Sequence, residues 1–155
     1  MVELQKIATE QRNPNTMNID TLSTLDMVKL INREDHRVAD AVAMVTDKIA
    51  QAVDVIAVHL SAGGRLIYCG AGTSGRLGIL DAVECPPTYS TDPETVQALM
   101  AGGYGAIFKA VEGAEDSREL GVTDMRGIHF SEKDVLVGIA ASGRTPYVMG
   151  CMEYA

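Results

Sequence analysis

A glycine-rich segment, Gly70-Ala71-Gly72-Thr73-Ser74-Gly75, follows a short apolar run and precedes a helical pattern. Backbone N–H groups at the start of a helix have no partner within the helix, and together with the helix dipole they attract a small anion. Thr73 and Ser74 add two hydroxyl groups to those amides, which suits a compact phosphate monoester. The segment therefore predicts a phosphate-binding loop between a strand and a helix.

Two other interpretations of this segment stay open at this point. The pattern G-x-G-x-x-G is also the dinucleotide-binding fingerprint, which needs an acidic residue at the end of the second strand to bind a ribose hydroxyl. The candidate second strand ends in Ala101-Gly102-Gly103 instead, which disfavours a dinucleotide. A tight turn with a capping serine and no ligand explains the loop equally well on its own.

A second hydroxyl-rich loop, Ser142-Gly143-Arg144-Thr145, follows the third candidate strand. Ligands of open parallel sheets bind beyond the carboxyl ends of the strands, where both loops are expected to lie. Ordinary helix capping is the alternative for Ser142 and Thr145. Arg76 and Arg144 carry the charge to pair with phosphate, although a surface salt bridge is the commoner role of an arginine.

Acidic residues occur at two further places. Glu84 lies at the far end of the helix that the glycine loop opens, where a negative charge is unfavourable beside the helix dipole. A second acidic cluster surrounds Ala114, formed by Glu112, Glu115, Asp116 and Glu119. Solvent exposure is the simplest interpretation of both places from the residues alone, and neither identifies a reaction.

The composition excludes several classes of partner. The 155 residues carry a net charge of -8, so no basic field is available for a nucleic acid or an anionic membrane. The three cysteines are widely spaced and the three histidines show no metal-ligand spacing, so we expect no metal, no cofactor and no disulfide framework. No leader pattern or membrane-spanning run occurs in the sequence, and we expect a cytoplasmic protein.

The apolar pattern predicts helices in the first third of the chain. Residues 1–22 are polar and irregular, which indicates an arm. Ser23 with Asp26 predicts the capped start of a short helix. From Val38 to Leu60 the apolar residues recur every three or four positions, which predicts one long amphipathic helix that ends at Gly63-Gly64.

Strands and helices then alternate. Strands are expected at 66–69, 96–100 and 135–140, and helices after the glycine loop, at 106–111 and from Pro146 onwards. Pro86-Pro87 should end the first of these helices. The alternation predicts an α/β protein with a doubly wound parallel sheet, as in flavodoxin-like folds, that is incomplete at three strands. We expect an N-terminal helical segment at 1–54 and the sheet domain at 55–155.

Three sequence blocks resemble a known family. The first runs from Leu66 through the glycine loop to Asp81 and on through Glu84-Cys85-Pro86-Pro87-Thr88. The others are Val111-Glu112-Gly113-Ala114-Glu115-Asp116-Ser117 and the segment from Gly138 to Tyr147 that contains the serine loop. Together they are similar to the N-acetylmuramic acid 6-phosphate etherases, in the same order and over nearly the whole chain.

The resemblance implies a fold and a reaction. It implies a sugar isomerase (SIS) domain that binds phosphosugars, in a protein about twice this length that is usually a homodimer. The implied reaction cleaves the ether between D-lactate and carbon 3 of N-acetylmuramic acid 6-phosphate during cell-wall recycling. The products are N-acetylglucosamine 6-phosphate and D-lactate, and no cofactor or metal is needed.

The resemblance also assigns roles to residues. Glu84 is implied to be the general acid that protonates the lactate oxygen, and Glu115 the base that takes the proton from carbon 2. The implied substrate-binding residues come from the two loops: Gly72, Thr73, Ser74, Gly75, Ser142, Gly143, Arg144 and Thr145.

Two alternatives to an active etherase remain. The glucokinase regulatory proteins are similar to the etherases and bind fructose phosphates without catalysis, so a sugar-phosphate sensor would share the same loops. A sensor needs no acid and base, and the presence of both Glu84 and Glu115 in their motifs favours the enzyme. The second alternative is an inactive, truncated etherase.

Overall fold

The computed structural model describes Thr9 and residues 11–155. The chain divides into two compact units, Met1–Asp54 and Val55–Ala155. No helix in the described part of the chain is long and apolar enough to cross a membrane. The second unit contains the whole sheet and both hydroxyl-rich loops.

The arm predicted over residues 1–22 lies partly outside the described residues. Its described part forms two short 3₁₀ turns, Pro14–Thr16 and Ile19–Thr21. The side-chain amides of Asn13 and Asn15 donate to the carboxylate of Glu34 at 2.7 and 3.0 Å. These bonds attach the arm to the following helix.

The first helix, α1, spans Thr24–Ala43 and begins where the sequence predicts. The N–H of Asp26 donates to the Ser23 hydroxyl at 3.2 Å, which confirms the cap. The expectation of a short helix is wrong, because the helix continues for 20 residues. Its later turns include an i,i+3 ion pair between Arg37 and Glu34 at 2.8 Å, a contact that supports an exposed helix.

The apolar stripe predicted as one long helix is divided between α1 and a second helix, α2, Thr46–Ser61. The Val45 N–H donates to the Val42 carbonyl at 3.0 Å, a bond of the tighter 3₁₀ type. The Thr46 hydroxyl donates to the Ala43 carbonyl at 3.2 Å. The prediction of a single helix is therefore wrong, since these two bonds close α1 and start α2.

The predicted glycine end of this helical region is confirmed. Gly63 has a φ of +80°, in the left-handed region that strains a residue with a Cβ. Its N–H donates to the Leu60 carbonyl, and the Gly64 N–H donates to the His59 carbonyl at 2.9 Å. A glycine is needed at position 63 to turn the chain toward the sheet.

The three predicted strands form one parallel sheet. They are β1, Leu66–Gly70, β2, Val96–Met100, and β3, Val135–Ile139. The order is β2-β1-β3, and the last residue of β1 pairs with the last residues of both neighbours. All three strands therefore end at the same edge.

Helices cover both faces of the sheet, as a doubly wound fold requires. They are α3, Gly72–Tyr89, α4, Tyr104–Phe108, α5, Arg118–Gly127, and α6, Pro146–Tyr154. Leu66 and the α3 residue Ala82 belong to one buried cluster, whereas Cys69 and the α6 residue Cys151 belong to another. Because side chains alternate along β1, the two clusters lie on opposite faces, and the predicted fold class is confirmed.

The end predicted for α3 is wrong. Pro86 and Pro87 lie inside the helix, which continues to Tyr89. Ser90, with a φ of 57°, closes it by donating its N–H to the Pro86 carbonyl at 2.9 Å. Two prolines in the last turn remove only two of the helix's N–H donors, so one further turn still forms.

Two other helices differ from the prediction. The stretch expected at 106–111 is α4 at Tyr104–Phe108, which ends because Lys109 is extended at φ -139° and ψ 132°. Helix α5 was not predicted, since the acidic residues around Ala114 suggested only a solvated turn. Its packing requires two glycines: a Cβ on Gly121 would meet the Tyr147 carbonyl of α6, and a Cβ on Gly150 would meet the backbone of α5.

An ion pair joins the amino ends of β1 and β3. The buried carboxylate of Asp134 accepts hydrogen bonds from the backbone N–H of Arg65 at 2.9 Å and from its guanidinium at 3.0 and 2.8 Å. The Ser131 N–H donates to the same carboxylate at 2.9 Å. The Arg65 guanidinium, bonded to the carboxylate, lowers the pKa of Asp134 to about 2.

We predict that Asp134→Asn lowers the free energy of unfolding by about 2 kcal/mol at pH 7. The folded state depresses the pKa of Asp134 below its usual 3.8. The stabilisation is therefore present above pH 4 and is lost as the pH falls toward 2. Urea unfolding at pH 7 and pH 3 measures it. The wild-type chain should lose more stability on acidification than the variant.

Glu132→Gln is the control, because it changes an exposed carboxyl in the same turn, and it should behave as wild type. Equal acid sensitivity of Asp134→Asn and wild type would contradict this account.

Candidate functional site

The glycine loop is the direct transition from β1 to α3. The strand ends at Gly70 and the helix begins at Gly72, with Ala71 as the N-cap. Alanine has no side-chain acceptor, and no capping bond is made by its side chain. The first amides of α3 therefore receive no side-chain cap, and they face the region beyond the end of β1. This disfavours the interpretation of the loop as a turn with a capping serine.

Two glycines give the loop its shape. Gly75 packs against the end of β1, where a Cβ would lie 2.8 Å from the Gly70 carbonyl oxygen. Gly72 has a φ of +55°, and nothing lies within 4 Å of the position where its Cβ would be. The close contact at Gly75 thus fixes the helix start against the strand, while Gly72 leaves open space in front of the amides.

The serine loop follows β3, which is the strand next to β1 in the sheet. β1 and β3 are paired, with Gly70 opposite Ile139, so both loops follow adjacent strands at the same edge. The chain leaves β1 toward β2 on one side and reaches β3 on the other, and such a switch point is where open α/β sheets bind ligands. The side chain of Thr145 makes no capping bond to α6, so helix capping does not account for that residue. Ser142, Gly143 and Arg144 are exposed.

A pocket of about 200 Å³ lies beside the start of α3. Gly72 and Arg76 line it from the helix, and Glu112 and Glu115 line it from the segment that follows α4. Glu115 lies on a single 3₁₀ turn, Ala114–Asp116, which comes just before α5. The structure therefore brings the predicted base, Glu115, to the glycine loop.

Arg76 attaches α4, and with it the segment that follows α4, to α3. Its Nε donates to the carbonyl of Ile107 at 2.8 Å, and its Nη2 donates to the carbonyl of Ala106 at 2.7 Å. These are carbonyls of the last turn of α4, which otherwise lack a partner in such a short helix. Sequence analysis considered phosphate or a surface carboxylate as the partner of Arg76, and the structure shows backbone carbonyls instead.

Glu84 lies at the other end of α3. Twelve residues separate it from Gly72, which corresponds to ~18 Å along a helix. The neighbouring Cys85 packs against the cluster that contains Leu66 and Val96, the first residues of β1 and β2. Glu84 is therefore level with the amino ends of the strands, and within one chain it is not brought to Glu115.

Glu112 and Arg76 are the two charged residues of the pocket wall that sequence analysis did not assign to the site. It left Glu112 in a solvated acidic turn and considered only phosphate or a surface salt bridge for Arg76. No sequence signal placed Glu112 at the pocket, because it lies in a turn before the 3₁₀ turn Ala114–Asp116, where helical spacing does not apply. The partners of Arg76 could not be predicted, because they are backbone groups about 30 residues away in the chain.

A larger groove of about 880 Å³ follows the outer edge of β2. Its lining includes Ala82 and Val83 of α3, the length of β2, and Asp124 of α5. None of the predicted site residues lines it, so we do not assign the predicted chemistry to it. Among the residues that the structure describes, no cluster of three or more His, Cys, Asp or Glu side chains could hold a metal ion.

Comparison with known proteins gives consistent results. The family model of the glucokinase regulatory protein N-terminal SIS domain matches residues 48–155. The chain is 64% identical over 154 residues to N-acetylmuramic acid 6-phosphate etherase 1 of Vibrio cholerae, 63% identical to the etherase of Photorhabdus laumondii and 59% identical to that of Klebsiella aerogenes. Each alignment covers 99% of this chain and 51% of the relative.

The chain thus spans about half the length of the curated relatives it matches. The matched family region, 48–155, contains the sheet, both hydroxyl-rich loops and the pocket with Glu115. The resemblance inferred from the three sequence blocks is confirmed by relatives that share the etherase name. The chain belongs to the SIS-domain family that is typified by the N-terminal domain of the glucokinase regulatory protein.

Proposed function

We propose that this chain provides the phosphosugar-binding and proton-transfer groups of an N-acetylmuramic acid 6-phosphate etherase. The observation that carries the proposal is the pocket that is lined both by Gly72, at the uncapped start of α3, and by Glu115. Relatives with 59–64% identity over nearly the whole chain carry the etherase name. The products are N-acetylglucosamine 6-phosphate and D-lactate.

The phosphate is held at the ends of β1 and β3. The amides at the start of α3 and the hydroxyls of Thr73 and Ser74 bind it from one strand, and Ser142 and Thr145 reach it from the neighbouring strand. An anion at a helix N-terminus is stabilised locally by the amides and the helix dipole. The net charge of -8 therefore does not prevent binding of a phosphosugar.

The reaction is an elimination followed by a hydration. In the open-chain sugar the proton on carbon 2 lies beside the aldehyde, and Glu115 removes it as a general base. The bond between carbon 3 and the lactate oxygen then breaks, and a general acid protonates the departing oxygen. Glu84 has this role in the proposal and acts from the second subunit of a homodimer, because it lies far from Glu115 within one chain. Water adds to carbon 3 of the unsaturated aldehyde with the two roles reversed. Each such group contributes about 10²–10⁴-fold in rate.

The chemistry requires two carboxyl groups in different protonation states. One must be ionised to take the proton and the other protonated to give one, which different environments around two acids provide. The atoms and protons of the elimination and the hydration balance with one carboxylic acid, one carboxylate base and one water molecule. We further propose that the protein is a homodimer, as the resemblance implies, and that it is located in the cytoplasm. Its three free cysteines are typical of a reducing compartment.

A non-catalytic sugar-phosphate sensor is the second candidate, because the matching family model is named for a regulatory protein. Such a sensor would bind the phosphosugar through the same loops. It would have no need of a base in the pocket, so lactate release separates the two candidates.

We predict that Glu115→Gln abolishes lactate release, with a rate loss of at least about 10²-fold. The amide cannot take the proton from carbon 2, whereas its size and hydrogen-bonding reach are preserved. The assay incubates the chain with N-acetylmuramic acid 6-phosphate and measures D-lactate enzymatically. Asp116→Asn, a change of the adjacent exposed carboxyl on the same turn, is the matched control and should retain the wild-type rate. Phosphosugar binding without lactate release by the wild-type chain would favour the sensor.

We predict that Gly72→Ala weakens binding of N-acetylglucosamine 6-phosphate by roughly tenfold. The new methyl group enters the open space in front of the amides and strains a residue with positive φ, at a cost of about 1 kcal/mol. Gly63→Ala is the control, since Gly63 also has a positive φ and free space but caps α2. Calorimetric titration should show weaker binding only for Gly72→Ala, whereas urea unfolding should show a lower free energy of unfolding for both variants. Equal affinities of the two variants would place the phosphate elsewhere.

A further inference from the structure

The proposed reaction acts on the open-chain sugar, whereas a hexose phosphate with a free hydroxyl on carbon 1 is almost entirely a closed ring in water. Ring opening removes the proton of that hydroxyl, breaks the bond between carbon 1 and the ring oxygen, and adds a proton to the ring oxygen. The aldehyde that makes the carbon 2 proton acidic forms only in this step. A general acid–base group beside carbon 1 would accelerate it, and Glu115 acts only afterwards.

The pocket at the start of α3 contains one further side chain that suits this step. Among the described residues that line the pocket, the charged ones are Arg76, Glu112 and Glu115, and the others are alanine, glycine, valine and methionine. The guanidinium of Arg76 donates to carbonyls of α4, and an arginine does not release its proton in a protein. Glu115 is the base at carbon 2 in the proposed function. Glu112 is the remaining lining side chain that can take and return a proton.

The backbone on both sides of Glu112 is held by packing. Before it, Val111 lies against Gly102, where a Cβ would be 2.9 Å from the Val111 Cβ, and Gly102 follows shortly after the end of β2. After it, Ala114 packs against the buried cluster that contains Cys69 of β1. These two contacts hold Glu112 beside the carboxyl ends of β1 and β2, where the proposed site lies.

A tight turn separates Glu112 from Glu115. Gly113 has a φ of +76°, a conformation that favours glycine, and its carbonyl accepts a hydrogen bond from the Asp116 N–H at 3.3 Å. The two glutamates thus follow each other across one turn and line one pocket of about 200 Å³. In a space this small, carbons 1 and 2 of a bound sugar would both lie close to the pair.

We propose that Glu112 is the general acid–base group that opens the sugar ring. The inference rests on the proposed function and extends it by the preceding step. The Glu112 carboxylate takes the proton from the hydroxyl on carbon 1, and the electron pair of that O–H bond forms the carbonyl of the aldehyde. The bond between carbon 1 and the ring oxygen breaks, and the ring oxygen takes the proton back from Glu112. One carboxyl serves both oxygens because both are bonded to carbon 1, and the carboxylate is regenerated.

Ring opening is measured without any lactate, through the exchange between the two anomers of N-acetylglucosamine 6-phosphate labelled with carbon-13 at carbon 1. Exchange NMR should show faster interconversion with the wild-type chain than in buffer. Glu112→Gln should lower the protein-dependent rate by about 10²-fold or more. Glu115→Gln should retain it, because carbon 2 keeps its proton during ring opening. Asp116→Asn, which changes an exposed carboxyl of the same segment, is the matched control and should behave as wild type.

Chemical rescue separates proton transfer from a structural role. Glu112→Ala removes the carboxyl and leaves space for a small acid, so added formate should restore part of the anomer exchange. Formamide has a similar size but does not carry the proton, and it should restore none. Calorimetric titration should give the same affinity for N-acetylglucosamine 6-phosphate in Glu112→Gln and in wild type. A loss of affinity together with a loss of exchange that formate does not restore would show a purely structural role and overturn the proposal.

The outcomes also separate this inference from the proposed function. Wild-type exchange no faster than in buffer, or exchange that is lost in Glu115→Gln and retained in Glu112→Gln, overturns the proposal. If wild type releases no lactate but its exchange depends on Glu112, the etherase function fails and ring opening by Glu112 stands. If Glu112→Gln matches wild type in both exchange and lactate release, the proposal is wrong and the etherase function stands.

Discussion

The structure depends on the close contact between the end of β1 and the first turn of α3. Gly75 lies against the Gly70 carbonyl so tightly that no larger residue fits there, and this contact sets the direction in which the first amides of α3 point. The last residues of β1 and β3 are paired with each other, so the serine loop that follows β3 lies beside these amides. Arg76, one residue further along α3, holds the carbonyls of α4 and with them the segment that carries Glu115. The proposed placement of a phosphate at this helix start, with Glu115 beside it, depends on the same contact.

The proposed site is able to bind an anion in an acidic protein because the attraction is local. Amides and hydroxyl groups contribute partial charges at the point of contact, and their effect falls off within the first turn of the helix. Glu112 and Glu115 line the same pocket, so in the proposed complex the sugar rather than its phosphate lies against them. In the proposed complex the phosphate is bound at the strand ends and the reacting carbons lie near a carboxyl, so one rigid scaffold would both bind the substrate and move its protons.

Much of the fold could be predicted from the sequence, because apolar runs that end in glycine define strands followed by helix starts. β1, β2 and the starts of α3 and α6 follow from local signals of this kind. The parts that could not be predicted depend on contacts distant in sequence. Helix α5 forms because Gly121 lets it approach α6, and α4 ends where Arg76 binds its carbonyls. The position of Glu84 at the far end of α3 is different, since it was predicted from the sequence and the rise of a helix places it far from Gly72 by arithmetic alone.

The position of the phosphate is the central claim, and a crystal structure with N-acetylglucosamine 6-phosphate tests it most directly. We expect the phosphorus atom in front of the first amides of α3, within hydrogen-bond reach through its oxygens of the Thr73 and Ser74 backbone, with carbons 2 and 3 of the sugar toward Glu115. A phosphorus atom in the groove along β2, or at any place remote from both hydroxyl-rich loops, would contradict the account.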